Sequence, residues 1–281
     1  MCRLLAVASE EPTTLAGALG DDGLATFLAL SELHPDGWGL AYLDSGSRVA
    51  VEKAPVPGGS DARLARLASS VASTGLVLHL RHASPGFPVN LANTHPFADG
   101  DRLAFAHNGA LYGGEREIDL VPPALAGRRE GTTDSECWFW RVVADVSEHG
   151  LAGGLALAAG AAAATCGPSS LNAAVLAAGD GSGHERAGGP GRASHPALAA
   201  LAWYDPDKGP PHPSPDGGPD RPDPEYYRLR WRQGRGSVVV ASSGWPQEGW
   251  DELANGTMLV LRPGSDAPPE TVKLASGALG S

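Results

Sequence analysis

The strongest constraint on this chain lies at its start. Cys2 heads an apolar run, Leu4 to Ala8, and the stretch Cys2–Ala8 reads as a buried strand. A thiol in that place has two readings. Free cysteine is often a small buried hydrophobe. If Met1 is trimmed, which a small side chain at the second position permits, Cys2 becomes the first residue and carries a thiol and a free α-amino group together. That amine has a reference pKa of about 7.7–8.0, so nucleophile and base then share one residue and no sequence-distant histidine is needed. On position alone the buried-hydrophobe reading leads, and the residues that reverse it lie downstream.

With 281 residues the chain can bury one large core or two small ones. A net charge of −11 argues against a nucleic-acid-binding or anionic-membrane-binding surface. No apolar run reads as long enough to span a bilayer, because Leu151–Thr165, the most apolar, is broken by Gly153, Gly154 and Gly160. Glu10 and Glu11 fall where the apolar part of a signal peptide would be. Cys2, Cys137 and Cys166 form no Cys-x-x-Cys pattern and no even set for disulfides, so a reduced, cytoplasmic protein without cofactor or metal is expected. Gly181-Ser182-Gly183 lacks the trailing Gly-Lys-Ser/Thr of a phosphate-binding loop.

Along the chain, Leu15–Leu19 and Leu24–Leu33 read as helices after punctuation at Pro12 to Thr14. The turn His34-Pro35-Asp36-Gly37-Trp38-Gly39 feeds a strand over Leu40–Leu43; Asp44–Ser47 is a hairpin turn and Arg48–Lys53 the returning strand. Asp61–Ala72 has leucines at helical spacing, with Ser60 as N-cap. Leu76–Arg81 and Leu103–His107 are strands, and 112–130 is irregular. Gly131 to Glu136 opens a helix over Cys137–His149; a second, Leu151–Ala164, ends at Gly167-Pro168. The rest reads as strands over Leu171–Ala178, Leu198–Tyr204, Tyr226–Trp231, Ser237–Ser242, Met258–Leu261 and Thr271–Leu274, with flexible surface loops near 179–196 and 206–224. Residues 1–281 are expected to form a single α+β domain. Two sheets face to face with helices outside satisfy this order, although periodicity does not single that layout out from other α+β arrangements.

Polar clusters stand at the ends of these elements: Arg81-His82-Ala83-Ser84, Asn93-Thr94-His95-Pro96-Phe97, Ala106-His107-Asn108-Gly109 and Thr133-Asp134-Ser135-Glu136. Together with Cys2 and the Asp36-Gly37-Trp38-Gly39 turn, and in this order, the set resembles the class II glutamine amidotransferases of the N-terminal-nucleophile hydrolases. The likeness is greatest to stand-alone members without a synthetase domain, of which the γ-glutamyl amide hydrolase of ergothioneine biosynthesis is one. It covers residues 2–140, and the later strands look like the family's closing sheet.

The resemblance implies a four-layer αββα sandwich and a set of roles. Cys2 would attack a γ-glutamyl amide, its own amine would shuttle the proton, and the Asn108 side chain and Gly109 N–H would hold the oxyanion. Chemistry supports two further assignments. A site that selects glutamine needs one fixed cation and one fixed anion. Arg81 suits the α-carboxylate because a guanidinium binds it bidentately, and Asp134 suits the α-ammonium.

Each residue also has a plainer reading. Arg81 in a surface ion pair, Asn108-Gly109 as a simple turn, and Asp134 or Thr133 as a helix N-cap are all open on the sequence. His95 either shapes the glutamine pocket or braces the loop before Pro96. His82 either stacks near the substrate or is exposed. Trp38, Cys137 and Cys166 read as core, and His34, His79 and His107 match no zinc spacing. The expected function is glutamine amidotransferase- or glutaminase-type hydrolysis of a γ-glutamyl amide through a Cys2 thioester, with ammonia passed to an unknown acceptor or partner, of which a separate synthetase subunit is one candidate. The alternatives are a hydrolase of another γ-glutamyl amide, with loops 82–94 and 110–130 shaping the leaving-group side, and a non-catalytic γ-glutamyl-binding relative.

Overall fold

A computed structural model describes residues 2–178, 195–208, 224–234 and 236–275. Its centre is β1 (Arg3–Thr13), buried from Arg3 to Ser9. Side chains alternate across a strand, so Leu4, Ala6 and Ala8 face one way and Leu5 and Val7 the other, and each set joins a different core.

On one side β1 pairs with β10 (Ser237–Ser242), then β9 (Leu229–Gly234) and β11 (Asp251–Leu253); on the other it pairs with β4 (Ser73–Arg81), then β2 (Gly37–Leu43) and β3 (Val49–Ala54). These seven strands form sheet A. Sheet B runs β13 (Glu270–Lys273), β12 (Thr257–Leu261), β8 (Ala197–Ala202), β7 (Asn172–Ala177), β6 (Leu103–Asn108) and β5 (Phe97–Asp99). Strands from beyond residue 150 therefore complete both sheets.

Three cores separate four layers. Between the sheets lies a thin, alanine-rich one, with Ala6, Ala41, Ala104, Ala106, Ala174 and Ala200. Outside sheet A, α1 (Leu15–Leu19), α2 (Asp21–Ala29) and α3 (Ala62–Ser70) contribute Leu15, Phe27 and Leu64 against Leu5, Val7 and Trp38. Outside sheet B, Trp138, Phe139 and Leu155 of α4 (Asp134–Cys166) cover Phe105 and Val175. The layering is the αββα sandwich that the resemblance implied.

Several local expectations are corrected. Of the two N-cap readings left open for α4 the structure takes Thr133, whose side chain accepts the Glu136 N–H. The two helices of the sequence reading abut at Gly150 (φ 73°) with no loop between them, and Gly167 ends the second in a left-handed cap. The joined helix of 33 residues, with mean hydropathy 1.3 over its most apolar window, is long and apolar enough to cross a membrane by length and composition, contrary to the sequence reading, which counted its halves separately. Its buried face packs on sheet B as a core helix, and Trp138 Nε1 donates to the Ala158 carbonyl at 3.0 Å across the bend.

Asp61, not Ser60, caps α3, because its carboxylate accepts the Arg63 N–H while Ser60 lies in a 3₁₀ turn. Strand β1 runs past Ala8 to Thr13, with a register shift between them that accommodates Glu10 to Pro12. Tyr226 and Tyr227 belong to a short helix, α5 (Pro224–Tyr227), and the strand starts only at Leu229. The irregular 112–130 stretch contains 3₁₀ turns at Gly114–Leu120 and Pro123–Arg128. Most of the two expected loops, 179–194 and 209–223, lies outside the described residues.

Candidate active site

The register of sheet A decides which residues meet. Arg3 pairs with Leu80 and Gly37 with Arg81, so Cys2, Arg81 and Asp36 lie at one end of the sheet. Alternation then sets their direction. Leu4 and Ala6, Val77, and Ala104 and Ala106 all face the inter-sheet core. Cys2, Arg81 and Asn108 continue those same faces toward the space between the sheets. The sheets are joined at this end: His79 Nε2 meets the His107 carbonyl at 3.1 Å, and α5 offers the Tyr226 carbonyl to Arg3 and the Tyr227 carbonyl to Asn172.

The Cys2 Sγ accepts the His82 N–H at 3.5 Å and lies 3.7 Å from the His82 carbonyl. Burial pushes its thiol pKa up, and the chain's amino terminus, the His82 N–H, Arg81 and Arg3 pull the other way. Such a thiol needs a base to become a nucleophile. Beside it, Arg81 is 3% exposed, and its guanidinium donates to the carbonyls of Pro88 (3.2 Å) and Asp36 (3.5 Å). Burial lowers its pKa, opposed by Cys2 and Asp36. The Asp36 carboxylate accepts the Ala83 N–H at 2.8 Å and so fixes the turn beyond Arg81. Among the described residues Arg81 forms none of the surface ion pairs left open on the sequence.

Across the layer, Asn108 ends β6 opposite Asn172. Asn108 is fully buried, yet neither Nδ2 nor Oδ1 has a hydrogen-bond partner among the described residues. Buried amides are normally satisfied, so this one is set apart. Gly109 is required where it stands, because a Cβ there would lie 2.0 Å from the Ser170 carbonyl oxygen. Asp134 is held by the Leu111 N–H (2.7 Å) and the Ser135 N–H (2.8 Å), which ties the head of α4 to the segment just after Gly109. His107 braces the same corner. Its Nε2 must donate to the Ser170 carbonyl (3.0 Å), so its Nδ1 accepts the Ser135 hydroxyl (2.8 Å). Burial lowers the His107 pKa, against the pull of Asp134.

The structure thus groups Cys2 with Arg81, and Asn108-Gly109 with Asp134. His95 stands apart. Its ring is 4% exposed, 4.5 Å from His79 and 4.4 Å from Phe97, and neither nitrogen is bonded among the described residues. Burial holds its pKa well below the ordinary value. Its carbonyl lies where a Cβ on Gly39 would come within 2.1 Å, which requires a glycine at that position of β2. Trp38 is core, and its Nε1 donates to Asp61 at 2.8 Å.

Two clamps escaped the sequence reading. Asn93 accepts the Thr132 N–H (2.8 Å) and donates to the Thr132 hydroxyl (3.1 Å) and the Pro88 carbonyl (3.2 Å). Glu136 accepts the N–H groups of Glu130 and Gly131, both at 2.7 Å. The Thr133-x-x-Glu136 spacing was the available signal, since it is that of a capping box; here the glutamate reaches beyond the cap to fix the loop that delivers Asp134.

The family described as "Glutamine amidotransferases class-II" matches residues 1–163. An uncharacterized protein of Methanocaldococcus jannaschii is 33% identical over 155 residues, 53% of this chain and 40% of its own length. The gamma-glutamyl-hercynylcysteine sulfoxide hydrolase of Mycobacterium tuberculosis is 30% identical over 119 residues, 42% of this chain and 46% of its own. The matches therefore span less than half the length of these relatives. Among solved structures, a glutamine aminotransferase class-II domain protein from Silicibacter pomeroyi superimposes with TM-score 0.62 at 22% identity, covering 98% of this chain and all of that one. The glutamine phosphoribosylpyrophosphate amidotransferase of B. subtilis does so with TM-score 0.58 at 13% identity, over 98% of this chain and 50% of its own. Those structures speak to the fold, while the family match over more than half of the chain decides membership: the chain belongs to the class II glutamine amidotransferases.

Proposed function

We propose that this protein hydrolyses the amide of glutamine through a covalent thioester on Cys2, after loss of Met1, and passes the ammonia to a separate synthetase subunit. The observations that support the reading are Cys2 beside Arg81 at one end of sheet A and, at the end of β6 in the facing sheet, the buried Asn108 amide, which has no partner among the described residues. Family membership supports the same chemistry.

In this scheme Arg81 binds the α-carboxylate and Asp134 the α-ammonium, which places the side-chain amide at the sulfur. The freed α-amine takes the thiol proton as sulfur adds to the amide carbon. The Asn108 amide and the Gly109 N–H hold the oxyanion that forms. Collapse breaks the C–N bond, and the amine returns its proton to the departing nitrogen so that ammonia leaves. Water then adds to the thioester, with the amine again as base, and glutamate and the free thiol are regenerated. His95, buried against His79 and Phe97, takes no direct part in this scheme. The three cysteines are all unpaired, which supports a reducing, cytoplasmic setting.

A second reading changes only the leaving group. The similarity to the gamma-glutamyl-hercynylcysteine sulfoxide hydrolase favours a larger γ-glutamyl amide. Arg81 and Asp134 would serve both, because the glutamyl half is the same. The test is glutamate release from glutamine and from a panel of γ-glutamyl amides, ranked by kcat/KM. Glutamine first supports the amidotransferase reading, and a bulky amide first supports the hydrolase. No release from any of them by protein lacking Met1 refutes both.

A further inference from the structure

Away from Cys2, where sheets A and B end on their edge strands β3 and β5, the structure has a cavity of about 500 Å³. None of Cys2, Arg81, Asn108, Gly109 or Asp134 lines it. Its volume falls in the range of small-molecule sites, about 300–1,000 Å³. One wall is aromatic: Phe97 and Phe139 lie 5.8 Å apart between centroids, and Phe139 and Trp140 lie 4.7 Å apart.

The polar lining is asymmetric. Lys53 is half-buried, and its ammonium donates to the carbonyls of Thr94 (2.7 Å) and Pro96 (3.4 Å). An ammonium has three protons, so one remains without a partner among the described residues. Two carboxylates of the lining, Glu130 and Glu136, act on the Lys53 charge and oppose the lowering of its pKa by burial, so a ligand's carboxylate shares Lys53 with them. Arg128 pairs with Asp99 at 2.6 Å and lies over the Trp140 ring. Both oxygens of Glu136 accept backbone N–H groups. Glu130 is exposed, so a ligand with a second negative charge would meet it.

We propose that this cavity is a second ligand site, which takes a small planar aromatic monocarboxylic acid with its ring against Phe97, Phe139 and Trp140 and its carboxylate on Lys53. The site stands on its own geometry and does not depend on the Cys2 chemistry.

The probe is 4-hydroxybenzoate, with the uncharged 4-hydroxybenzamide as its control, titrated into the full-length protein by calorimetry. Two variants test the site. Lys53→Met removes the charge at similar length. Gly127→Trp fills the mouth from a position where an added Cβ meets nothing within 4 Å, so it should fold even if Lys53→Met does not. The expected result is saturable binding of the acid, at least about tenfold tighter than the amide, a gap of about 1.4 kcal/mol. Either folded variant should weaken it about tenfold or more, while Cys2→Ala and saturating glutamine leave it unchanged. Absence of saturable binding overturns the proposal. So does equal affinity for acid and amide, indifference to the variants, or displacement by glutamine.

Discussion

Replacing Asn108 with leucine should separate stability from activity. Asn108 is fully buried and both of its amide atoms lack partners among the described residues. An unsatisfied buried polar group costs about 1–3 kcal/mol. Leucine has a similar branched outline and no polar atom, so Asn108→Leu should leave folding stability unchanged or raise it, by up to about 3 kcal/mol. If the amide's role is to hold a developing oxyanion, the same change should lower kcat by about 10²–10³, or about 2.7–4 kcal/mol of transition-state stabilisation. Both kcat and kcat/KM should fall together, because the interaction is made only in the transition state. Asn172, its partner across the ladder, is the control. Its side chain donates to the Tyr227 carbonyl and accepts the Trp203 N–H at 3.0 Å. Asn172→Leu should therefore destabilise the fold by about 2 kcal/mol or more, since it strands buried partners. Urea denaturation and glutamate release, measured on the same preparations, read both quantities. The reasoning fails if Asn108→Leu is destabilised like Asn172→Leu, or if it retains full activity.

Three further outcomes follow from the same structure. His34 and His79 are buried and held to pKa values of about 3, and burial likewise lowers His95 and His107. Their folded pKa values lie below the unfolded value of about 6.5, so the unfolded chain binds more protons and stability present above that pH is lost as pH falls toward the folded values. The slope is about 1.4 kcal/mol per pH unit for each such histidine, so urea midpoints should drop steeply below about pH 6; a flat profile from pH 7 to 5 contradicts the burial argument. Gly109→Ala should fold poorly and lose activity, because its Cβ would stand 2.0 Å from the Ser170 carbonyl oxygen; circular dichroism at graded temperature checks it, and a wild-type melting curve counts against it. Arg81→Lys should raise KM for glutamine by about tenfold or more, through loss of the planar fork, with a smaller effect on kcat; initial-rate kinetics read the split, and an unchanged KM removes Arg81 from the carboxylate.

What could be read in advance followed from repetition. Ser237–Ser242 and Leu103–His107 are apolar on both faces and announce themselves as strands, with the second ending one residue later at Asn108. Phe97–Asp99 and Asp251–Leu253 are three residues each, too short for any period to register, and they become strands only because β6 and β9 are there to pair with them. Tyr226-Tyr227-Arg228-Leu229 has strand-like composition, but tertiary contacts to Arg3 and Asn172 hold its start as a helical turn. At the candidate site, the places of Cys2, Arg81 and Asn108 at the ends of apolar strands could be read from the sequence, while the roles proposed for them came from the family resemblance. The clamps made by Asn93 and Glu136 could not be read there, since each joins segments whose proximity is a property of the folded sandwich.

The most direct measurement is intact mass, with peptide mapping, before and after treatment with a glutamine-analogue electrophile. The account predicts a protein one methionine lighter than its sequence, labelled once, on the amino-terminal cysteine, with labelling abolished by Cys2→Ala and retained by Cys137→Ala. Full activity in protein that still carries Met1, or a label on Cys137 or Cys166, would contradict it.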